Sequence, residues 1–365
     1  MIYGVAEHLP KNKYDITILH PSEVNRQGKT LEDHDNIRIE YFPSRFLGGV
    51  NYTIPRHLND LLKLFSMEDF ETIHVGDYFY PTSIPPILSK VRACKLLSVN
   101  AMPGYDWRFG EFSVDLMAKI YTYSIGKKIL SSYDKIIVLY TKLFEDLVRF
   151  GINEEKIFIL PNGMDIKRFK TISEAGLKSL RNTLGIDEEE KVILFVGRLV
   201  RVKRVDMLIY MAKKFHDEGL KIKTVVVGDG PCRGELELLA KEICGDVIFT
   251  GWRDESELSA YYGIANLVVL PSVSEGLPNV LLEAGAFERP CIAFNTNGVK
   301  DIIIHGKTGF IIENNDFKSF YQHIKFLLFN DGLRENMGKN AAKHIEDKFN
   351  WDNIVRKYES LIQVR

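Results

Sequence analysis

Leu267-Val-Val-Leu270-Pro271-Ser-Val-Ser-Glu275-Gly-Leu-Pro278-Asn279-Val-Leu-Leu-Glu283 reads as a short apolar strand, a polar loop and the opening turn of an apolar helix. An unbroken apolar run of this kind suits a strand of a parallel sheet covered on both faces. The loop then lies at the C-terminal edge of that sheet, where open α/β proteins take ligands, and the new helix offers free backbone N–H groups to an anion. Glu275 stands in the loop and Glu283 about one helical turn beyond Asn279, so two carboxylates flank one helix start. A carboxylate there can accept paired hydrogen bonds from vicinal hydroxyls, as sugars and riboses present them. Taken alone, the same spacing also describes an early-helix acid and a solvated loop charge.

The same grammar occurs upstream. Val192 to Val196 is a strand that runs into Gly197-Arg198-Leu199 and then, past Lys203 and Arg204, into a helix predicted over Val205 to Glu218. Arg198 offers a fork of donors and Lys203 a point charge, which suits the two phosphates of a nucleotide diphosphate. With Arg201 and Arg204 beside them, a solvated basic loop is the plain alternative. Two more turns leave strands: Gly228-Asp229-Gly230-Pro231 after Thr224 to Val227, and Thr250-Gly251-Trp252 after Val247 to Phe249. Trp252 either lines a pocket for a flat base or closes the domain core.

Together with Cys291 to Phe294 and crossover helices such as Gly234 to Ile243, these strands make the second half one doubly wound domain. Ile16 to Leu19, Thr72 to Val75, Lys95 to Val99 and Lys135 to Leu139 repeat the logic in the first half. A chain of 365 residues exceeds what a single core ordinarily supports, and the turn at Pro161-Asn162-Gly163 puts the expected boundary at 167/168. The first half opens on a helix, with Ile2, Val5, Ala6 and Leu9 at helical spacing. A doubly wound sheet ordinarily opens on a strand and a glycine-rich turn, so the expectation is a domain without its first strand and a native start upstream of Met1.

Composition narrows the function classes. Formal net charge is −1, which leaves no general field for nucleic acid or an anionic membrane, so any anion site is local. Cys94, Cys232, Cys244 and Cys291 are far apart with no metal-ligand spacing and read as reduced core thiols. No signal peptide and no membrane span is legible, which points to a cytoplasmic protein, with peripheral membrane contact as the remaining option.

Gly197-Arg198 with Lys203, the Gly-Asp-Gly-Pro turn at 228–231, and Glu275 and Glu283 resemble, in order and spacing, the family 4 retaining glycosyltransferases of the GT-B fold. Pro161-Asn-Gly-Met-Asp165 and His305-Gly-Lys-Thr-Gly-Phe310 extend the resemblance over about residues 158 to 312. The resemblance implies two doubly wound Rossmann-like domains facing across a cleft. These would be an acceptor-side domain at 1–167, a donor-binding domain at 168–335, and helices in 336–365 crossing back to the first. It implies transfer of a sugar, with retention of configuration, from a nucleotide-sugar donor to a hydroxyl of a glycan or lipid-linked saccharide. Arg198 and Lys203 would bind the diphosphate, Glu275 the transferred sugar and Glu283 the ribose hydroxyls. Gly276, Leu277, Pro278, Asn279 and Val280 would supply contacts along the loop, with Gly197, Gly228, Gly230 and Trp252 completing the donor side. No metal and no further cofactor is implied, the nucleotide sugar being a co-substrate.

One position departs from the pattern: Asn100, in Leu97-Ser-Val-Asn100, stands where the family commonly has histidine. Its amide can orient a sugar hydroxyl but cannot take a proton. His74 reads as a strand-end histidine with a structural partner. The aromatic stretch Pro103 to Phe112 and the following Leu116 to Leu130, with Lys119, Lys127 and Lys128, suit either a sugar- or lipid-facing edge or a core helix with a solvated lysine face. Asn100 and the short N-terminus also admit a catalytically silent nucleotide-sugar-binding or scaffold protein. Base, sugar, acceptor and oligomeric state depend on contacts that the motifs do not specify.

Overall fold

The structure, a computed structural model, describes residues 2–22, 32–34, 37–47, 52–55, 70–89, 91–105, 112–165, 173–243 and 246–362. The chain divides into two compact units, Met1–Gly163 with Trp351–Arg365, and Met164–Asn350. The expected boundary at 167/168 falls in 166–172, outside the described residues.

The first unit opens with α1 (Ile2–His8), whose Val5 and Ala6 are buried, followed by β1 (Ile16–Ser22), β2 (Glu32–His34), β3 (Ile37–Leu47) and β4 (Tyr52–Pro55). Then come β5 (Thr72–Val75), α2 (Pro85–Leu88), β6 (Cys94–Val99) and α3 (Phe112–Tyr121). A π turn over Thr122–Gly126 carries α3 into α4 (Lys127–Ser132), and β7 (Lys135–Val138), α5 (Thr141–Arg149) and β8 (Ile157–Ile159) follow. Strands β5-β6-β7-β8 form one parallel sheet. Strand β1 pairs in parallel with β3 in a separate sheet, where β3 also takes β2 and β4 antiparallel. Among the described residues the strands of this unit thus fall in two sheets, and β2, β3 and β4 add to the strands read from the sequence.

The second unit contains α6 (Glu174–Thr183), β9 (Lys191–Val196), α7 (Val205–Asp217), β10 (Ile222–Val227), α8 (Arg233–Ile243), β11 (Val247–Gly251) and α9 (Glu255–Ile264). It continues with β12 (Leu267–Leu270), α10 (Asn279–Ala286), β13 (Cys291–Phe294), α11 (Val299–Ile302), β14 (Gly309–Ile312), α12 (Phe317–Leu328) and α13 (Asp331–Phe349). Among the described residues its six strands are all parallel in the order β11-β10-β9-β12-β13-β14. Every residue of β12 and β13 is buried, the signature of a sheet covered on both faces. The order reverses between β9 and β12, and that reversal fixes where a ligand can enter.

The segment 336–365 divides rather than acting as one. Helix α13 buries Met337, Ala341 and Ile345, and Ile345 fills the space beside Gly285 of α10, where an added Cβ would lie 2.6 Å from it. Residues 336–350 therefore complete the second unit. Only the last helix, α14 (Trp351–Ile362), belongs to the first. Its Ile354, Val355, Tyr358 and Leu361, spaced for one helical face, join Val5, Leu9, Leu96, Ile137 and Leu160 in a single core. Each aliphatic side chain buried there contributes about 1.5–3 kcal/mol of transfer free energy. The Trp351 ring stacks on His8 at 4.7 Å and occupies the space left by Gly4 and Gly163, where an added Cβ would lie 2.4 Å and 2.3 Å from it.

Cys94, Cys232 and Cys291 are free thiols, but only Cys291 is buried; Cys94 and Cys232 are half-buried, and Cys244 lies outside the described residues. No helix among the described residues is long and apolar enough to cross a membrane.

Candidate functional site

The reversal of strand order brings together the loops that leave β9 and β12. The chain after β9 makes a short 3-10 turn over Arg201–Lys203 and enters α7 through Arg204, held in the left-handed region at φ 51°. A non-glycine residue in that conformation costs about 1–3 kcal/mol, and such strain concentrates where a side chain must be aimed. The loop after β12 runs alongside: the Val273 N–H donates to the Val202 carbonyl at 3.0 Å. Across this contact Lys203 Nζ meets Glu275 Oε1 at 2.5 Å, both side chains largely buried. The two residues expected to hold phosphate and sugar separately are thus a partnered pair. Arg198 stands exposed, and its guanidinium takes no partner among the described residues.

Glu283 stands farther along the chain, on α10. Tyr262, fully buried on α9, donates its hydroxyl to Glu283 Oε2 at 2.6 Å. Burial raises the Glu283 carboxyl above the ordinary carboxylate range, and the Tyr262 hydrogen bond opposes that rise by favouring the ionised form. With one oxygen engaged, the other is left to accept from a hydroxyl. The backbone N–H groups of Gly276, Leu277 and Val280 take no acceptor among the described residues, so the start of α10 presents donors to an anion. Pro278 stands at its N-cap with no side-chain cap, and Asn279 is its first residue, exposed.

The glycines hold these loops at contact distance. Gly228 has φ +137°, and a Cβ on it would lie 1.9 Å from the Gly197 carbonyl oxygen; one on Gly230 would lie 2.5 Å from that of Leu199. The Leu199 N–H donates to the Asp229 carbonyl at 2.9 Å, so the Gly197–Leu199 turn and the Gly228–Gly230 turn are laced backbone to backbone. Gly276 is braced in the same way: its carbonyl accepts from the Gly298 N–H at 2.9 Å. Trp252 is 71% exposed, which overturns the core-closing alternative, because the chain turns outward at Gly251, φ +77°.

Sequence reasoning missed Tyr262, Ser272 and Thr296. Ser272 and Thr296 follow the neighbouring strands β12 and β13, and both hydroxyl oxygens are buried with no hydrogen-bond partner. Buried polar atoms without partners among the described residues are uncommon, and these two stand at the C-terminal edge of the sheet. Ser272 adjoins Pro271 in the quoted stretch, but a serine in a loop gives no signal of its own burial.

The first unit carries a different cluster at its own parallel edge. Asp77, past the end of β5, is 8% exposed, and burial pushes its carboxyl up to about 7. Asn100, past the end of β6, donates its amide to Asp77 Oδ2 at 3.5 Å, and the Phe79 N–H donates to Oδ1 at 3.4 Å. Asp77 also went unread in the sequence, although it stands three residues beyond His74. His74 shares hydrogen bonds with Ser98 Oγ at 2.8 Å and the Tyr358 hydroxyl at 3.1 Å, and burial lowers its imidazole to about 3. It is a neutral structural residue. Asp106 to Glu111 of the aromatic stretch lie outside the described residues.

Two family profiles divide the chain between them: Glycosyltransferase Family 4 matches residues 1–168, and Glycosyl transferases group 1 matches residues 178–344. The chain belongs to the family 4 glycosyltransferases. Staphylococcus aureus CapM, a capsular polysaccharide biosynthesis glycosyltransferase, is 25% identical over 100% of this chain and 94% of its own length. A D-inositol 3-phosphate glycosyltransferase of Corynebacterium jeikeium is 32% identical over 64% of this chain and 59% of its own. In fold, sucrose-phosphate synthase from Thermosynechococcus elongatus matches 98% of this chain and 90% of its own at TM-score 0.77 and 21% identity. Anabaena HepE in complex with UDP matches 96% of this chain and 100% of its own at TM-score 0.76 and 16% identity. This family 4 member therefore has the GT-B type of fold, with two Rossmann-like units, and is a glycosyltransferase. Its switch-point loops carry the Arg198, Lys203, Glu275 and Glu283 set by which the resemblance was drawn.

Proposed function

We propose that this glycosyltransferase moves a sugar from a nucleotide-sugar donor to a hydroxyl of a glycan or lipid-linked saccharide, with retention of anomeric configuration. The observation that carries the reading is the Lys203–Glu275 pair just before the open start of α10, with Glu283 of that helix held by Tyr262. The diphosphate lies at the N-terminus of α10 and against Arg198 and Lys203, the ribose hydroxyls at the free oxygen of Glu283, and the transferred sugar at Glu275. The bond from the anomeric carbon to the leaving phosphate breaks while a bond to the acceptor oxygen forms on the same face. The acceptor proton goes to an oxygen of the leaving diphosphate. Two cations stabilise the charge that develops there, so the reading requires no covalent nucleophile and no metal. HepE, solved with UDP and with UDP-glucose, supports a uridine nucleotide as the first donor class to test. The chain would work in the cytoplasm, in peripheral contact with the membrane face.

A silent nucleotide-sugar-binding protein is the second reading, favoured by Asn100, which cannot take a proton. Asp77 beside it weakens that reading, because it supplies a titratable carboxyl at the same sheet edge. Calorimetric titration of the chain with UDP-, GDP- and ADP-sugars, repeated on Glu283→Ala, tests the donor site. Saturable binding of one class, lost in the variant, supports it. Binding without transfer to any acceptor and without donor hydrolysis supports the silent reading, and no binding at all overturns both.

A further inference from the structure

Helix α3 and the π turn after it are turned the opposite way from an ordinary surface helix. Their inward positions are small: Ala118, Thr122 and Gly126 are buried. Thr122 Oγ1 donates to the Pro103 carbonyl at 2.7 Å, and a Cβ on Gly126 would lie 2.8 Å from the Tyr78 ring. Gly104, at φ +76°, allows the Lys119 backbone to approach so closely that an added Cβ would lie 2.4 Å from its nitrogen. The bulky apolar residues point outward: Phe112 is 86% exposed, Met117 71% and Ile120 60%, with Leu116 and Tyr123 also exposed. Phe112, Leu116, Ile120 and Tyr123 recur at the spacing of one helical face.

This face is bordered by charge of one sign. Lys119, Lys127 and Lys128 are exposed, and among the described residues none of them has a carboxylate partner. Asp115 is the one acid in the sequence from 112 to 132. On α5, by contrast, Lys142 pairs with Asp146 and Arg149 with Glu145. The three lysines instead lie along aromatic rings or in solvent: Lys119 Nζ is 6.0 Å from the Tyr123 centroid and Lys127 Nζ 5.3 Å from that of Phe150.

We propose that the outer face of α3 and its π turn docks on the surface of an anionic phospholipid bilayer. Phe112, Leu116, Met117, Ile120 and Tyr123 enter the headgroup boundary, and Lys119, Lys127 and Lys128 meet lipid phosphates. The helix lies in the interface rather than crossing it. A second copy of this chain fits the face less well, because a two-fold contact through it would bring the same unpaired lysines together. This inference deepens the peripheral contact proposed above, yet it stands on this face alone and can fail while the donor reading holds.

The test is flotation of the full chain with vesicles of phosphatidylcholine, with and without phosphatidylglycerol, and with the double variant Met117→Asp/Ile120→Asp. The wild type should float with the phosphatidylglycerol vesicles, at least about tenfold more weakly with phosphatidylcholine alone, and less as salt is raised. The double variant, both of whose sites are already exposed, should lose flotation while keeping its circular dichroism and nucleotide-sugar titration. No flotation of the wild type overturns the proposal, as does flotation unchanged in the variant. So does a wild type that does not float and sediments as a dimer which the variant dissolves, since a second copy would then cover the face.

Discussion

Two sheet edges in this chain handle buried charge in opposite ways. At the edge of the second unit each carboxylate has a close donor: Glu275 has Lys203 at 2.5 Å and Glu283 has the Tyr262 hydroxyl at 2.6 Å. At the edge of the first unit Asp77 is equally enclosed, but its side-chain donor is the neutral amide of Asn100 at 3.5 Å. In the first arrangement, the Tyr262 hydroxyl opposes the rise that burial imposes on the Glu283 carboxyl. The second makes ionisation costly, so its charge is set by pH. A close donor limits the rise that burial causes and makes the more fixed edge, and a distant neutral amide leaves the more responsive one.

The strongest way to break the fixed edge is through its backbone lacing. Gly228→Ala places a Cβ 1.9 Å from the Gly197 carbonyl at a φ that side chains rarely adopt. Overpacking and backbone strain together cost roughly 5 kcal/mol. Urea unfolding of the variant should show a loss of that order, with nucleotide binding abolished. A loss under 1 kcal/mol would mean that the two turns are not laced as described.

The responsive edge yields the next largest effect. The Asp77 carboxyl is raised from 3.8 to about 7 in the fold, so its contribution to stability is full below the unfolded value and is lost as pH rises towards 7. Asp77→Asn keeps the shape and removes the ionisation. Its stability advantage over wild type should grow from pH 5 to pH 8 and then level off, at roughly 3–4 kcal/mol. Melting temperatures that rise in parallel across that range would show that Asp77 titrates normally.

Lys203→Met then sharpens the comparison from the fixed side. It leaves Glu275 without its cation and, on the proposed reading, the diphosphate with Arg198 alone, and removal of one such electrostatic partner should lower kcat by about 10²–10³-fold. Steady-state rates with the donor identified by titration check it. A variant within tenfold of wild type would assign Lys203 to holding Glu275 and to nothing in the reaction.

The same contrast explains what the sequence made legible. The second unit was readable because its strands are unbroken apolar runs and its loops repeat a glycine turn with fixed charge, features that remain local in the chain. Gly197, Lys203, Glu275 and Glu283 all belong to such turns or to the helix beginning just after one. What was missed depends on partners far apart in sequence. Tyr262 lies on a helix of little amphipathic contrast, and only the fold brings it to Glu283. Asp77 was overlooked beside His74, because burial, not residue type, distinguishes them. The apolar residues of α3 have helical spacing in the sequence, but which side they face is decided by Ala118, Thr122 and Gly126, whose smallness lets that side approach Pro103, Gly104 and Tyr78. The division of residues 336–365 was illegible for the same reason: α13 and α14 are separated by Asn350 alone, and only their packing assigns them to different units.

The smallest effect is the finest probe of the fixed edge. Tyr262→Phe keeps the ring stacked on Phe287 and removes only the hydroxyl that donates to Glu283. A hydrogen bond to a charged group contributes about 1.5–3 kcal/mol, and its loss acts on the ionised form alone. The Glu283 carboxyl, already raised by burial, should rise further, so the acid limb of nucleotide-sugar binding moves to higher pH. Well above that limb the variant should bind almost as wild type does, because a carboxylate that is ionised can still accept from the ribose. Titrations from pH 5 to pH 8 separate this from a packing defect, which would weaken binding equally at every pH. An unmoved acid limb would mean that Glu283 stays charged without Tyr262, and the partnered oxygen would then have no part in setting that limb.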